Sequence, residues 1–594
     1  MTLKKMGIIC LMLIMALVCF RVDAVAEEAP VNAVEMSRRM GNGINLGNTM
    51  EACNNGKSGG MMSDNPQFFE TYWGQPVTTP EMLKAMKEAG FDTIRIPVAW
   101  MTNASHLDQG DYTISEQYMD RVEEIVNYAL DAGMIVIIND HWDGGWWGMF
   151  GSEKESTRDL AMEAYTGMWK QIAERFSGYD WRLVFESANE ELGSNFDMNS
   201  PLYCEDSLDH AMPDNERYAL ANRVNQTFVD TVRANGGNNA DRFLLIAGYN
   251  TDIDRTADPR FMMPGDTAES RLLLSVHYYN PWSYCGASSA KVATLWGRKK
   301  DFEDMYSQLS RMSQFTSAGY GVVIGEYGAL PGGDGVMKTN APAYHAAFLN
   351  CCDALDLGNC LWDCSGFFIR RELRITEPEM AAVYAGRNYV SEAGRSYAEI
   401  ASAGKDAFDA MVEAAPESLV DNSLDTGDGS SVAWIMFNGG DWAVSYSVGD
   451  IYTPDSITPG IVPTDVQITG PGIYTVGLDF TGTEAGFAAN TAFSAIGISN
   501  GEQNYPGYCI YFTEVTINGE AVKLKGRNYT CSDDGKCTRS NLYNEWVDMK
   551  SARDGARVLY GDLTGISATV LDRDLEIMRK IRTIEITFRY EPRK

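Results

Sequence analysis

Between about residue 30 and residue 403, eight short apolar runs alternate with longer amphipathic stretches. The runs are Gly43–Asn48, Asp92–Val98, Met134–Asp140, Arg182–Glu190, Arg242–Gly248, Leu272–Tyr279, Gly321–Tyr327 and Asn359–Gly366. Several are almost continuous in Val, Ile and Leu, the pattern of parallel strands covered on both faces. The intervening stretches carry helix signals. Pro80–Ala89 is preceded by Thr79 as an N-cap and followed by Gly90 as a stop, and Glu116–Ala132 ends at Gly133. Eight strands with helices between them predict an α/β chain folded as a (β/α)₈ barrel. The alternative, a doubly wound sheet, usually carries a glycine-rich phosphate turn, and none is present.

The pattern changes after the barrel. Lys405–Ala414 is helical in pattern, and Ala415–Ser431 is rich in Asp, Ser and Gly, so residues 405–431 are expected to act as a linker. From Val432 to the C-terminus, short runs alternate apolar and polar residues between turn residues. That predicts an all-β sandwich or jelly roll over residues 432–594. At the other end, Lys4 and Lys5 precede an apolar run to Phe20, and Ala24-Val25-Ala26 fits a cleavage site. Residues 1–26 are therefore expected to be a signal peptide. The barrel domain then spans 27–404, and the protein is expected to be secreted to the exterior or the periplasm. A net charge of −32 without a basic patch argues against nucleic acid or an anionic membrane as partner, and is compatible with a neutral polysaccharide. No paired Asp-rich calcium loops of the dockerin kind are visible, so no scaffold partner of that type is expected. The crowded Cys351, Cys352, Cys360 and Cys364 lack the His or second Cys pair that would complete a zinc set.

In a (β/α)₈ barrel the active site sits at the C-terminal ends of the strands. Here those ends are polar: Arg95, His141 with Trp142, Asn189 with Glu190, His277 with Tyr279, Glu326 and Trp362. Any one of them has an ordinary structural explanation, and a buried Arg is usually an ion-pair partner. The combination is harder to explain that way, because two of only five His fall at strand ends. Two carboxylates facing each other across such a rim are the working parts of a glycosidase. Glu186 shares a strand face with Glu190 one layer deeper and is expected to be a buried partner of Arg95 or a His, whereas Glu191 is expected to point away.

The segments Gly43–Asn48, Ile94–Val98, Phe185–Glu190, Val276–Tyr279, Ile324–Gly328 and Leu361–Asp363 together resemble glycoside hydrolase family 5, the secreted retaining β-glycanases. Trp73–Thr79 resembles the endoglucanase and xyloglucanase-rich subfamily 4. Many members carry two adjacent His after strand three, whereas this chain has His141-Trp142. The resemblance implies Glu326 as nucleophile and Glu190 as acid/base. It implies Arg95, His141, Trp142, Asn189, His277, Tyr279, Trp362 and Asn45 as substrate-binding residues, with Asn189 on the sugar 2-hydroxyl and Trp362 as a stacking face. Arg95 and Tyr279 are expected to keep Glu326 ionised while Glu190 stays protonated. No metal or other cofactor is expected. The implied activity is endo-β-1,4-glucanase on cellulose-like, mixed-linkage β-glucan or xyloglucan chains. A β-mannanase with the same catalytic pair and a non-catalytic glycan-binding protein are the alternatives. The C-terminal domain is expected to be a carbohydrate-binding module with Trp442, Trp434 and Tyr452 as candidates, Trp442 being the one favoured as exposed. Otherwise it is a sandwich that only stabilises the barrel.

Overall fold

The computed structural model describes residues 29–53, 63–198, 212–286, 293–294, 296–331, 337–338, 340–385, 395–416, 429–448, 456–532, 536–545, 556–559 and 570–593. The expected signal peptide, Tyr452 and much of the expected linker lie outside the described residues. Eight parallel strands close into a barrel. They are β1 (Asn42–Asn45), β2 (Thr93–Ile96), β3 (Ile135–Ile138), β4 (Leu183–Glu186), β5 (Leu244–Asp252), β6 (Leu272–Tyr278), β7 (Gly321–Tyr327) and β8 (Leu357–Leu361). Each of the eight apolar runs supplies one strand, and β8 pairs with β1 to close the ring. The helix signals also hold. Helix Pro80–Glu88 begins with the Thr79 side chain accepting the Met82 amide. It stops at Gly90, whose φ of +106° suits glycine.

Strand alternation sorts the side chains. Ile135, Ile137, Val184, Leu245, Leu273 and Val323 form one buried cluster with Met36 and Met40, which close the barrel floor. The alternate residues Val136, Ile138, Leu183, Phe185, Leu244 and Leu274 join the larger cluster under the helices. Two residues further along the inward set the side chains are polar: Asn45 after Gly43, Arg95 after Thr93, Glu186 after Val184 and Ser275 after Leu273. The barrel interior therefore becomes polar toward the strands' C-terminal ends, beneath the rim where the site residues gather.

One departure from expectation concerns the region after the barrel. Residues 405–414, expected to belong to a linker, are the second half of a helix Tyr397–Ala414 that starts with a Ser396/Glu399 capping box. Its Phe408 is buried in the barrel's core cluster, which makes this helix part of the barrel's packing. The C-terminal region forms two largely antiparallel sheets sharing one core, as a sandwich requires, with one parallel pair where Thr530–Ser532 meets Arg557–Leu559. Trp442 lies in the turn before a short strand Ser445–Tyr446. The larger sheet ends in Ala293–Thr294, a short strand from the segment between β6 and β7 that pairs with Ser456–Ile457. Among the described residues no helix is long and apolar enough to cross a membrane.

Candidate active site

Arg95 organises the site. It is fully buried. Its Nε donates to Glu186 at 2.7 Å, Nη1 to Asn45 at 2.9 Å and to Glu326 at 3.0 Å, and Nη2 to Asn189 at 2.9 Å. Glu186 also accepts from the Ser275 hydroxyl at 2.6 Å, which confirms it as a buried ion-pair partner of Arg95. Asn45 is equally buried, and its side-chain nitrogen donates to the carbonyls of Gly325, Cys360 and Leu361. These contacts correct two expectations. Asn45 and Arg95 have no surface to offer a sugar, and they bind the walls instead. Asn45 ties β1 to β7 and β8 and orients the guanidinium. Arg95 holds the Glu326 carboxylate and the Asn189 side-chain oxygen.

Glu190 lies four residues beyond the end of β4, and Glu326 lies on β7 itself. The ligating atoms of Glu190, His277 and Glu326 lie within 4.8 Å of one another. His277 Nδ1 is 2.7 Å from Glu190 and 3.6 Å from Glu326. The Tyr279 hydroxyl donates to Glu326 at 3.0 Å. Burial and the Glu326 charge hold that phenol well above its usual pKa, so it stays a donor. Exposure divides the pair: the Glu190 side chain is 45% exposed and the Glu326 side chain 8%.

The protonation pattern differs from the expected one. Burial pulls Glu190 upward, but the hydrogen bond and charge of His277, with Arg95, outweigh it and hold the carboxyl below its usual range. Burial pushes Glu326 above its usual value against the pull of His277 and Arg95, and the Glu190 charge adds to the rise. His277 is raised, because the two carboxylates outweigh its burial. The contact with His277 is thus what lowers Glu190, and the two carboxylates are what raise His277. The sequence pattern carries no sign of this, because it cannot show that His277 would face Glu190 more closely than Glu326. His141 has no such partner. Burial, Arg95 and His277 hold it far below its usual pKa, so it is a neutral ring.

Around this centre, His141 stacks on Trp362 with ring centroids 5.6 Å apart and planes 13° apart. Gly47 makes room for Trp362: a Cβ there would lie 3.1 Å from the indole. Asp363 accepts the amides of Ser365, Phe367 and Phe368 and so shapes the loop after β8. Trp142 is half-buried, and its amide donates to Glu191 at 2.7 Å. Glu191 therefore points inward, not away. Trp282 had no place in the expected site. It is 59% exposed and sits edge-on to Tyr279 with centroids 6.0 Å apart. Its position three residues after Tyr279, in the loop segment that follows a strand bearing site residues, is the available signal. In the C-terminal sandwich, Trp442 is 39% exposed on its turn. Trp434 is buried instead, with its indole N–H donating to the Val448 carbonyl at 2.8 Å, so it packs the core and offers no glycan surface.

Glu190, His277 and Glu326 are also the one group among the described residues whose His and carboxylate atoms come close enough to hold a metal ion. Arg95, 3.0 Å from Glu326, sets a fixed positive charge against a cation there.

A model of the cellulase family, glycosyl hydrolase family 5, matches residues 54–367. An endoglucanase A of Paenibacillus barcinonensis is 35% identical over 332 residues, which cover 51% of this chain and 75% of that protein. A xyloglucan-specific endo-beta-1,4-glucanase of Bacteroides ovatus is 37% identical over 311 residues, 50% of this chain and 57% of that one. Among solved structures, a family 5 lichenase from Caldicellulosiruptor sp. F32 in complex with cellotetraose superposes with a TM-score of 0.51 at 27% identity, covering 61% of this chain and 96% of the other. The Bacteroides ovatus family 5 xyloglucanase bound to a XXXG heptasaccharide gives 0.50 at 30% identity, covering 60% and 76%.

Proposed function

This chain belongs to glycoside hydrolase family 5 and is a hydrolase of endoglucanase type; on that premise we propose that it is an exported enzyme cutting internal β-1,4 bonds of mixed-linkage, xyloglucan or cellulose-like chains with retention of configuration. The observation that carries the reading is the approach of Glu190, His277 and Glu326 to within 4.8 Å at the barrel rim. Retaining glycosidases hold their two carboxyl groups about 5–5.5 Å apart, whereas inverting enzymes leave room for a water between them. The relatives' glucan and xyloglucan substrates favour a glucan over mannan.

Glu326 attacks the anomeric carbon as the glycosidic bond breaks, and the leaving oxygen takes the Glu190 proton. Sugar bound over the half-exposed Glu190 displaces water and raises its pKa, which draws a proton from His277 onto the carboxyl. Arg95 and the Tyr279 hydroxyl support the negative charge of Glu326 before attack and again as it leaves. Once Glu326 is esterified its charge is gone, and the Glu190 pKa falls. Glu190 then takes a proton from water, whose oxygen attacks the anomeric carbon and frees Glu326. Asn189, oriented by Arg95, meets the 2-hydroxyl, where a hydrogen bond strengthens in the transition state. His141, Trp142 and Trp362 line the sugar track, and the reaction needs no metal. The C-terminal sandwich, through Trp442, tethers the enzyme to polymer and raises its local concentration.

The test is sugar release and chain shortening on barley β-glucan, xyloglucan, carboxymethylcellulose and mannan, with wild type beside Glu326→Ala. Rapid shortening of the glucans, abolished in the variant, is the expected result. Activity on mannan alone would replace the substrate and keep the mechanism. Glycan binding without turnover would contradict the reading.

A further inference from the structure

Trp142 has a backbone that a bulky residue avoids, with φ 56° and ψ −55°. Such a conformation is strained for a residue with a side chain and persists only when its surroundings over-determine it. Within its own loop, the Gly145 amide donates to the Trp142 carbonyl at 2.9 Å. The neighbouring Asp143 is fixed by accepting the Met101 and Thr102 amides at 2.6 and 2.7 Å. Glu191 adds a contact from the far side. One of its oxygens accepts the Trp142 amide at 2.7 Å, and the other accepts the Asn189 amide at 2.8 Å. A single buried carboxyl thus joins the loop after β3 to the segment after β4, directly beside Glu190. Holding it there is costly: burial pushes its pKa up to about 8, and both of these donors are backbone amides.

We propose that Glu191 is a positioning residue that locks Trp142 and the Glu190 segment into one unit, aiming the acid/base carboxyl at the glycosidic oxygen held against the Trp142 wall. This inference rests on the assignment of Glu190 as acid/base. Glu191 takes no part in the bonds made and broken. Removing one of its acceptor oxygens lets the β3 loop and the Glu190 segment move independently. The defect then falls on proton delivery to the leaving group, and attack by Glu326 is spared.

The experiment compares Glu191→Gln and Glu191→Ala with wild type on barley β-glucan and on two aryl cellobiosides. Phenyl cellobioside needs protonation of its leaving group, and 2,4-dinitrophenyl cellobioside does not. Glu190→Ala serves as the reference for lost acid catalysis. The ratio of the two aryl substrates is read within each preparation, so the fraction of folded protein cancels. Because general acid catalysis contributes on the order of 10²–10⁴-fold, a misaimed acid should lower kcat/KM on β-glucan and phenyl cellobioside by roughly 10–100-fold, and on the dinitrophenyl substrate by less than about 3-fold. Adding Trp142→Ala to Glu191→Gln should cost less than the two separate losses combined. Equal losses on both aryl substrates in the Glu191 variants would reduce Glu191 to a structural residue and overturn the proposal, as would no loss at all. If Glu190→Ala itself lost equally on both, the acid/base assignment would fall and take the proposal with it.

Discussion

Tyr279→Phe removes one hydroxyl and leaves the ring in place against Trp282. That hydroxyl is 3.0 Å from Glu326 and donates to it. A hydrogen bond to a charged group contributes about 1.5–3 kcal/mol, and one pKa unit corresponds to about 1.4 kcal/mol, so losing it should raise the Glu326 pKa by roughly 1–2 units. Burial already holds this carboxyl above its usual value, so the change adds to an existing rise. Attack requires Glu326 ionised, and kcat/KM reports the free enzyme. The acid limb of the kcat/KM profile on barley β-glucan should therefore move to higher pH by roughly 1–2 units. The alkaline limb, set by His277 and Glu190 together, should move much less. His277, 3.6 Å from Glu326, can approach the vacated oxygen and would place the shift at the lower end of that range. An acid limb that stayed in place, or moved to lower pH, would refute the claim that Tyr279 stabilises the Glu326 anion.

Three further expectations follow from the same geometry. Gly47→Val puts a side chain where a Cβ already comes within 3.1 Å of the Trp362 ring and 2.9 Å of the Asp363 carbonyl, so KM for short cello-oligosaccharides should rise several-fold, with little change in the pH profile. Trp282→Ala removes an exposed aromatic worth about 0.5–1.5 kcal/mol as a contact. It should raise KM on β-glucan about 2–10-fold, by the exponential relation between energy and affinity, and leave the dinitrophenyl cellobioside unaffected if Trp282 serves a sugar beyond the reacting one. Burial raises Glu51 to about 7 and Glu191 to about 8. Both stay protonated in the fold at pH values where the unfolded chain ionises them. These two carboxyls favour the unfolded state progressively as pH rises from about 4.5 to about 8, while the buried neutral rings of His141 and His345 oppose that up to about pH 6.5, so the melting temperature should fall between about pH 7 and pH 8. A melting temperature that rose between about pH 7 and pH 8 would contradict this.

Much of this architecture is legible in the residues. Eight apolar runs become eight strands because side-chain alternation and burial on both faces leave a distinct imprint, and Thr79-Pro80 and Gly90 mark a helix by cap chemistry alone. The two carboxylates are readable because a charged residue at the end of an apolar strand is rare and the strand order places them across one rim. The side chains behind them were less visible. The family resemblance implied Asn45 and Arg95 as sugar ligands, yet they bind carbonyls and carboxylates from other strands; for Arg95 the ion pair with Glu326 was itself expected from its place at a strand end. Glu191 looked peripheral because strand alternation was extended past the last paired residue, Glu186, where the chain has already left strand geometry. Trp434 and Trp442 are eight residues apart in one β-rich region, and only the turn that ends the first strand separates a core indole from an exposed one. The helical pattern of Lys405–Ala414 was readable, but its packing against the barrel through Phe408 was not, because the Asp-, Ser- and Gly-rich stretch after it made the whole segment resemble a linker.

The most direct test of the central claim is to trap the glycosyl-enzyme with 2,4-dinitrophenyl 2-deoxy-2-fluoro-cellobioside and locate the sugar by peptide mass spectrometry. The account predicts one added fluorocellobiosyl group per chain, on the peptide containing Glu326 and absent from Glu326→Ala. A label on any other residue, or steady hydrolysis of β-glucan with inverted anomeric configuration and no trapped intermediate, would contradict it.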